Sequence, residues 1–263
     1  VVLYGAGASN TSIARLMITD GADPKKIVMF DSKSTLHKNC ERYKNDPRFY
    51  VQWELCQITN PNCITTPEEA FKDADLLVAL SKPGPDTIKT EWIKLMAEKA
   101  IVFVCANPVP EIYPYQAKEA GAYIVATGRG DFPNQVNNSV CFPSILKGTL
   151  LVSARKITDI MAIRAAHSIA EFAEQRGIDV ENIMPTMLEW ELFPKVAADV
   201  AMQAIKEGVA LKNLTWEEVY NAAKKDIMEA REITQMLQDK EYITPIFDEV
   251  IEKIMNDVIQ TLQ

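Results

Sequence analysis

Apolar residues along this chain come in short continuous runs, separated by polar, glycine-rich and proline-rich breaks. Val1–Tyr4, Ile27–Phe30, Leu76–Leu80, Ala100–Ala106 and Ala122–Ala126 are such runs. Runs of this length predict strands buried on both faces. Phe49–Cys56 alternates apolar and polar positions and predicts a further strand. Ile13, Leu16 and Met17 fall at helical spacing directly after the first run. Ser32–Asn45 is polar and reads as a helix. Thr66 and Pro67 open a short helix with proline at its first position. Further helices are predicted near Thr90–Lys99 and over Tyr115–Ala120, the latter stopping at Gly121. About six strands separated by helices predict an α/β fold, a doubly wound parallel sheet covered on both faces.

From about Leu150 the pattern becomes helical. Thr158–Arg176 has helical spacing and ends at Gly177, and a Met- and Pro-rich stretch, Ile183–Pro194, precedes a helix over Lys195–Lys212. Thr215 and Glu218 have the spacing of a capping box, and Ile246–Gln263 reads as the last helix. The expected division is a sheet domain over 1–150 and a helical extension over 151–263. That extension either packs on one side of the sheet or holds a partner subunit.

Polar and glycine residues gather where strands are predicted to end. Gly5, Ala6 and Gly7 follow the first strand, and Ala8, Ser9 and Asn10 open the helix after it. Such a turn lets backbone N–H groups approach a pyrophosphate, and the helix dipole favours its charge. Asp31 closes the second strand about 20 residues beyond the turn, where a carboxylate accepts a ribose hydroxyl. This context points to a Rossmann-type dinucleotide site; a turn that merely connects two elements is the alternative. Asn10 replaces the third glycine of the fingerprint, so helix and strand are expected to pack less closely there.

Ser81–Gly84 follows the third apolar run and either approaches the nicotinamide-side ribose or forms a rigid loop. Asn107 follows a buried strand and precedes Pro108. Its amide could bond a substrate carboxylate or the cofactor's carboxamide and ribose, or simply shape the turn. Asp131–Asn138 holds three Asn, one Gln and one Asp, groups that need partners if buried. Arg129 could pair with a ligand carboxylate, but reads first as one half of an ordinary ion pair.

The net charge of −8 argues against a nucleic-acid surface, and no apolar run reaches the length of a membrane span. Five cysteines with no C-x-x-C pair, including Cys40 in a predicted helix and Cys105 in a predicted strand, read as cytoplasmic thiols. His37, in a predicted polar helix, and His167, in an amphipathic one, show no metal spacing, and neither is assigned a catalytic role. The chain begins inside an apolar strand without an initiator Met, which suggests a piece of a longer polypeptide.

Taken together, Gly5–Ala8, Ser81–Gly84, Ala106–Glu111 and Ala126–Asn138 resemble the NAD(P)-binding domain of malic enzymes, especially the shorter bacterial type. The likeness runs from Val1 to about Arg164 and weakens beyond. It implies oxidative decarboxylation of L-malate to pyruvate and CO₂ with NAD(P)⁺ reduced and Mg²⁺ or Mn²⁺ required. It also implies that Asn107 and Asn138 hold substrate or the nicotinamide end, and that the chain forms dimers or tetramers. The family's tyrosine, lysine and acidic metal ligands precede the glycine turn, so no metal ligand or acid–base residue is assigned here. Made alone, the 263 residues are expected to bind cofactor without turnover. Asp31 favours NAD, while Lys33 and Lys38 keep NADP open. Two other readings stand beside this one. One is a glutamate- or methylenetetrahydrofolate-type dehydrogenase of the same fold, and the other is a non-catalytic nucleotide-sensing module.

Overall fold

The computed structural model describes residues 1–243. Five strands, Val2–Tyr4 (β1), Val28–Phe30 (β2), Leu76–Ala79 (β3), Ile101–Val104 (β4) and Ile124–Thr127 (β5), pair in parallel in the order β2-β1-β3-β4-β5. Tyr4 lies beside both Phe30 and Ala79, Ala79 beside Val104, and Val104 beside Thr127. All five strands therefore end on one row. From β1 the chain turns to one side for β2 and returns on the other for β3. At such a switch point the loops diverge and open a crevice.

Alternate strand residues point to opposite faces, and both faces are apolar. Val2, Leu77, Val102 and Val125 pack with helices Pro67–Phe71 (α3), Thr90–Ile93 (α4) and Pro114–Glu119 (α5), through Phe71, Trp92, Ile93 and Ala117. Leu3, Met29 and Val78 pack on the opposite face with Ala14 of helix Ala8–Thr19 (α1) and Leu55 of Tyr50–Ile58 (α2). Helices Phe142–Leu151 (α6), Asp159–Arg176 (α7), Leu192–Lys206 (α8) and Trp216–Asp239 (α9) build a separate core around Met161, Val196, Val200 and Val219. Asp199 of α8 ties this core by accepting from Ser168 Oγ at 2.6 Å, Trp216 Nε1 at 2.9 Å and Arg164 at 3.0 Å. The predicted caps are present: Thr158 accepts from the Met161 N–H, Gly177 ends α7 at φ +94°, and Thr215 and Glu218 cap α9 reciprocally.

The described residues hold one strand fewer than predicted, because Tyr50–Cys56 lies in α2 and Phe49 in the 3₁₀ turn before it. The Asp46 carboxylate accepts from the Arg48 N–H at 3.0 Å and Pro47 opens a 3₁₀ turn that runs into α2. This start signal outweighs an alternation that buries only Leu55 and Cys56 within α2. Nor is Ser32–Asn45 an α-helix. Asp31 N–H donates to Ser34 O and Leu36 N–H to Met29 O, so the chain folds back on β2, and only Glu41–Tyr43 makes a 3₁₀ turn. Tertiary bonds hold the segment in this course: Thr35 Oγ1 donates to Ile64 O at 2.5 Å, and Asn60 Nδ2 donates to Leu36 O at 3.3 Å. His37 and Cys40 consequently lie outside any helix. Helix α4 stops at Ile93 rather than near Lys99, and α8 runs from Leu192 to Lys206, ended before Gly208 at φ +68°. The helix expected over Ile246–Gln263 lies outside the described residues. Among those described, no helix is long and apolar enough to cross a membrane.

Helices α6 and α8 cross closely at Gly148, where an added Cβ would stand 2.3 Å from the Ala197 carbonyl oxygen. Gly148→Ala is expected to cost about 1–3 kcal/mol by forcing the helices apart. Urea unfolding of the two forms measures it, and equal midpoints would show that the helices yield freely.

Candidate functional site

The glycine turn sits at the centre of the row of strand ends. Gly5 has φ +105°, and a Cβ there would lie 2.5 Å from the Leu80 carbonyl oxygen. Only glycine satisfies both conditions. Gly7 caps α1 without a side-chain bond, the first turn of α1 holds no acidic residue, and a Cβ on Gly7 would meet nothing within 4 Å. The open N–H groups beside exposed Ala8 and Ser9 are free to receive an anion. Ala6 is buried, and its carbonyl accepts from Gln52 Nε2 at 3.1 Å. Asn10, in the place of the third glycine, is 0% exposed and donates to Tyr4 O at 3.1 Å and Val78 O at 3.3 Å. Instead of loosening the contact, its amide nitrogen knits β1 to β3, while its buried Oδ1 has no hydrogen-bond partner among the described residues.

Asp31 leaves the end of β2. One carboxylate oxygen, Oδ2, accepts from Tyr43 Oη at 2.6 Å and from Arg42. Oδ1 is left for a further donor. Burial, then the bond to Asp31, pushes the Tyr43 hydroxyl well above the usual phenol range, so it remains a donor at any physiological pH. Lys33 and Lys38 are exposed.

The loops after β3, β4 and β5 meet around a cavity of about 700 Å³. Ser9, Asn107, Gln135 and Asn138 give it polar points, and Val78, Leu80 and Phe103 give it an apolar wall. Val136 N–H donates to Thr127 O at 2.8 Å, which brings the amide-rich segment back level with the strand ends. Its amides divide into two groups. Asn134 bonds Val125 O, Val180 O and the Ile183 N–H, and Asn137 caps the following turn through Ser139 N–H. Among the described residues the side chains of Asn107, Gln135 and Asn138 make no hydrogen bond. Gly128 lets Asn107 lie close, with its amide 3.4 Å from where a Cβ would be.

Ser81 is half-buried and follows Leu80 of the cavity wall, and Gly84 has φ +142°. Arg129 forms the ordinary ion pair expected of it, with Asp131 at 2.6 Å. His167 bonds Asp20 at 2.9 Å, joining α7 to the end of α1. Among the described residues no three His, Cys, Asp or Glu side chains come together to hold a metal ion. Sequence reasoning passed over Arg42, Tyr43 and Glu111, and did not single Gln135 out of its amide-rich segment. Of these, only Glu111 carried a signal, a lone charge between Pro110 and Ile112 in an apolar, proline-rich loop.

Comparison with known families matches residues 1–208 to the malic enzyme NAD-binding domain. The chain belongs to the malic enzyme family. Its likeness to malic enzymes extends past Arg164, beyond the point where the sequence motifs thin out. The crystal structure of Entamoeba histolytica malic enzyme is 60% identical, with a TM-score of 0.93, over 100% of this chain and 54% of that one. A bifunctional malic/malolactic enzyme of Bacillus subtilis is 36% identical over 86% of this chain and 53% of its own length. An NAD-dependent malic enzyme of Geobacillus stearothermophilus is 36% identical over 81% of this chain and 43% of its own. Other relatives are named NADP-dependent malic enzymes. This malic enzyme chain thus spans about half the length of the relatives it matches. The open α1 terminus and the space at Gly7 suit the NAD of the family domain.

Two thiols of this malic enzyme chain are expected to be inert. Burial pushes Cys105 up to about 12, with the Glu111 charge adding to it, and Cys56 up to about 11, again by burial first. Both stay protonated at pH 8 and gain reactivity only as pH rises toward those values. Peptide mass spectrometry after brief iodoacetamide treatment of the native protein checks this; fast labelling of Cys105 at pH 8 would contradict it.

Proposed function

We propose that this chain supplies the dinucleotide site and part of the substrate site of an enzyme that converts L-malate to pyruvate and CO₂ with reduction of NAD⁺. The carrying observation is the pair of unbonded amides, Asn107 and Asn138, on the same cavity as Ser9 at the open end of α1. When bound, the nicotinamide supplies the acceptor for the hydride of malate. The first turn of α1 binds the pyrophosphate, with Gly5, Gly7, Ala8 and Ser9 giving it room. Asp31 Oδ1 takes the adenosine ribose hydroxyl. Ser81 and Gly84 flank the nicotinamide-side ribose. Asn107 and Asn138 orient a substrate carboxylate or the nicotinamide carboxamide through neutral donors, and Val78, Leu80 and Phe103 exclude water. Among the described residues no cluster of side chains fits Mg²⁺ or Mn²⁺, and in this reading the metal's ligands come from outside this chain.

NAD is the preferred nucleotide in this reading. A 2′-phosphate would face the Asp31 carboxylate, whose neighbouring cation, Arg42, is already engaged with it. The reading treats 1–150 as the nucleotide-binding domain and 151–263 as the helical extension. It includes a homo-oligomer, supported by exposed Ile233 and Met236 on α9, and a cytoplasmic setting, supported by five free cysteines.

Malate-dependent appearance of reduced nicotinamide and pyruvate, with the native polypeptide and added Mg²⁺ or Mn²⁺, tests the reaction. Turnover of a different acid, with malate inert, would favour another dehydrogenase of this fold; nucleotide binding with no turnover would favour a sensing module. Asn138→Ala is expected to lower kcat/KM for malate about tenfold or more, the effect of losing one hydrogen bond to a charged group. Asp31→Ala is expected to narrow the preference for NAD⁺ over NADP⁺ about tenfold, read by calorimetric titration with each nucleotide. An unchanged ratio would remove Asp31 from the ribose site.

A further inference from the structure

A carboxylate sealed from water is costly unless its oxygens are fully engaged. Glu111 is 0% exposed, and its partners come from two different loops. Oε1 accepts from the Ser81 N–H at 2.8 Å and from Ser81 Oγ at 3.3 Å, at the start of the loop after β3. Oε2 accepts from the Ala106 N–H at 3.1 Å, in the loop after β4 and next to Asn107. The main chain of Glu111 adds a third tie, its carbonyl accepting from the Ile88 N–H at 3.0 Å. The clamped segment also carries Leu80, whose carbonyl oxygen leaves no room for a Cβ at Gly5. One buried side chain thus links the loops after β3 and β4, two of those that surround the crevice.

We propose that Glu111 is a positioning residue, whose buried carboxylate sets the spacing of the loops after β3 and β4 and so places Ser81 and Asn107 against the nicotinamide half of the bound dinucleotide. This rests on the dinucleotide reading above. Acting behind the cavity wall, Glu111 touches neither cofactor nor substrate. The adenosine half, held by Asp31 and the α1 terminus, lies on the other side of the glycine turn and does not depend on the clamp. A purely stabilising role for Glu111 would make no distinction between the two halves.

Glu111→Gln keeps the shape but turns an NH₂ toward one of the two backbone N–H donors, so only one loop stays held. Titration of the native polypeptide and this variant with NAD⁺ and with ADP, below the unfolding transition of both, tests the proposal. NAD⁺ affinity is expected to fall about tenfold or more, while ADP affinity stays within about twofold. Glu111→Asp, which keeps the charge but shortens the reach, is expected to give the same split. Equal NAD⁺ affinity in wild type and variant, or an equal loss for both nucleotides, overturns the clamp. Amide exchange on the unaltered protein gives a reading that needs no variant. NAD⁺ should slow Ser81 and Ala106 together and ADP should slow neither; the same slowing by ADP overturns the proposal. If the unaltered protein binds neither nucleotide, the dinucleotide reading fails and takes the clamp with it. If it binds NAD⁺ and the variant binds as well, the clamp alone fails.

Discussion

Parallel pairing with five strand ends in one row is the constraint on which this molecule depends. Because Tyr4, Phe30, Ala79, Val104 and Thr127 stand level, every following loop leaves the sheet on the same side. The glycine turn, Asp31, Ser81, Asn107 and the segment up to Asn138 are brought together by that geometry, though they lie far apart in sequence. Burial on both faces of the sheet holds the row in place.

The loops are not left to find their own places. Asn10 bridges β1 and β3 from beneath, Glu111 bridges the loops after β3 and β4, and Asn134 fastens the last loop to Val125, Val180 and Ile183. Each is a buried polar side chain that bonds backbone groups on separate segments, and such bonds rigidify a structure. Around these fixed points a few amides and N–H groups are left unbonded: Asn107, Asn138, Gln135 and the first turn of α1. The division between spent and free polar groups marks out the site more sharply than residue type does.

Much of this was legible in the sequence, and the reasons differ by element. Continuous apolar runs gave all five strands, because a strand buried on both faces has no other pattern. The glycine turn was readable because φ and steric demands leave one residue type at Gly5. Thr158, Gly177 and Thr215 marked helix ends through local hydrogen bonding. Where tertiary contacts decide, the pattern misled: Phe49–Cys56 alternates like a strand but starts from the Asp46–Pro47 helix signal, and Ser32–Asn45 folds back on β2. Within the amide-rich segment, spacing could not separate Asn138 from Asn134, since the difference lies in partners from residues 125 to 183. Arg42 and Tyr43 were hidden for the same reason.

The central claim is that a dinucleotide lies across the row of strand ends with its pyrophosphate on the N-terminus of α1. Backbone amide NMR of the isotope-labelled protein during titration with NAD⁺ tests it most directly. The largest shifts are expected at Gly7, Ala8 and Ser9, with the side-chain amides of Asn107 and Asn138 moving in the same titration. Shifts concentrated instead at Lys147 and Trp190, which line a separate cavity of about 470 Å³ between α6 and α9, with α1 unmoved, would contradict the account.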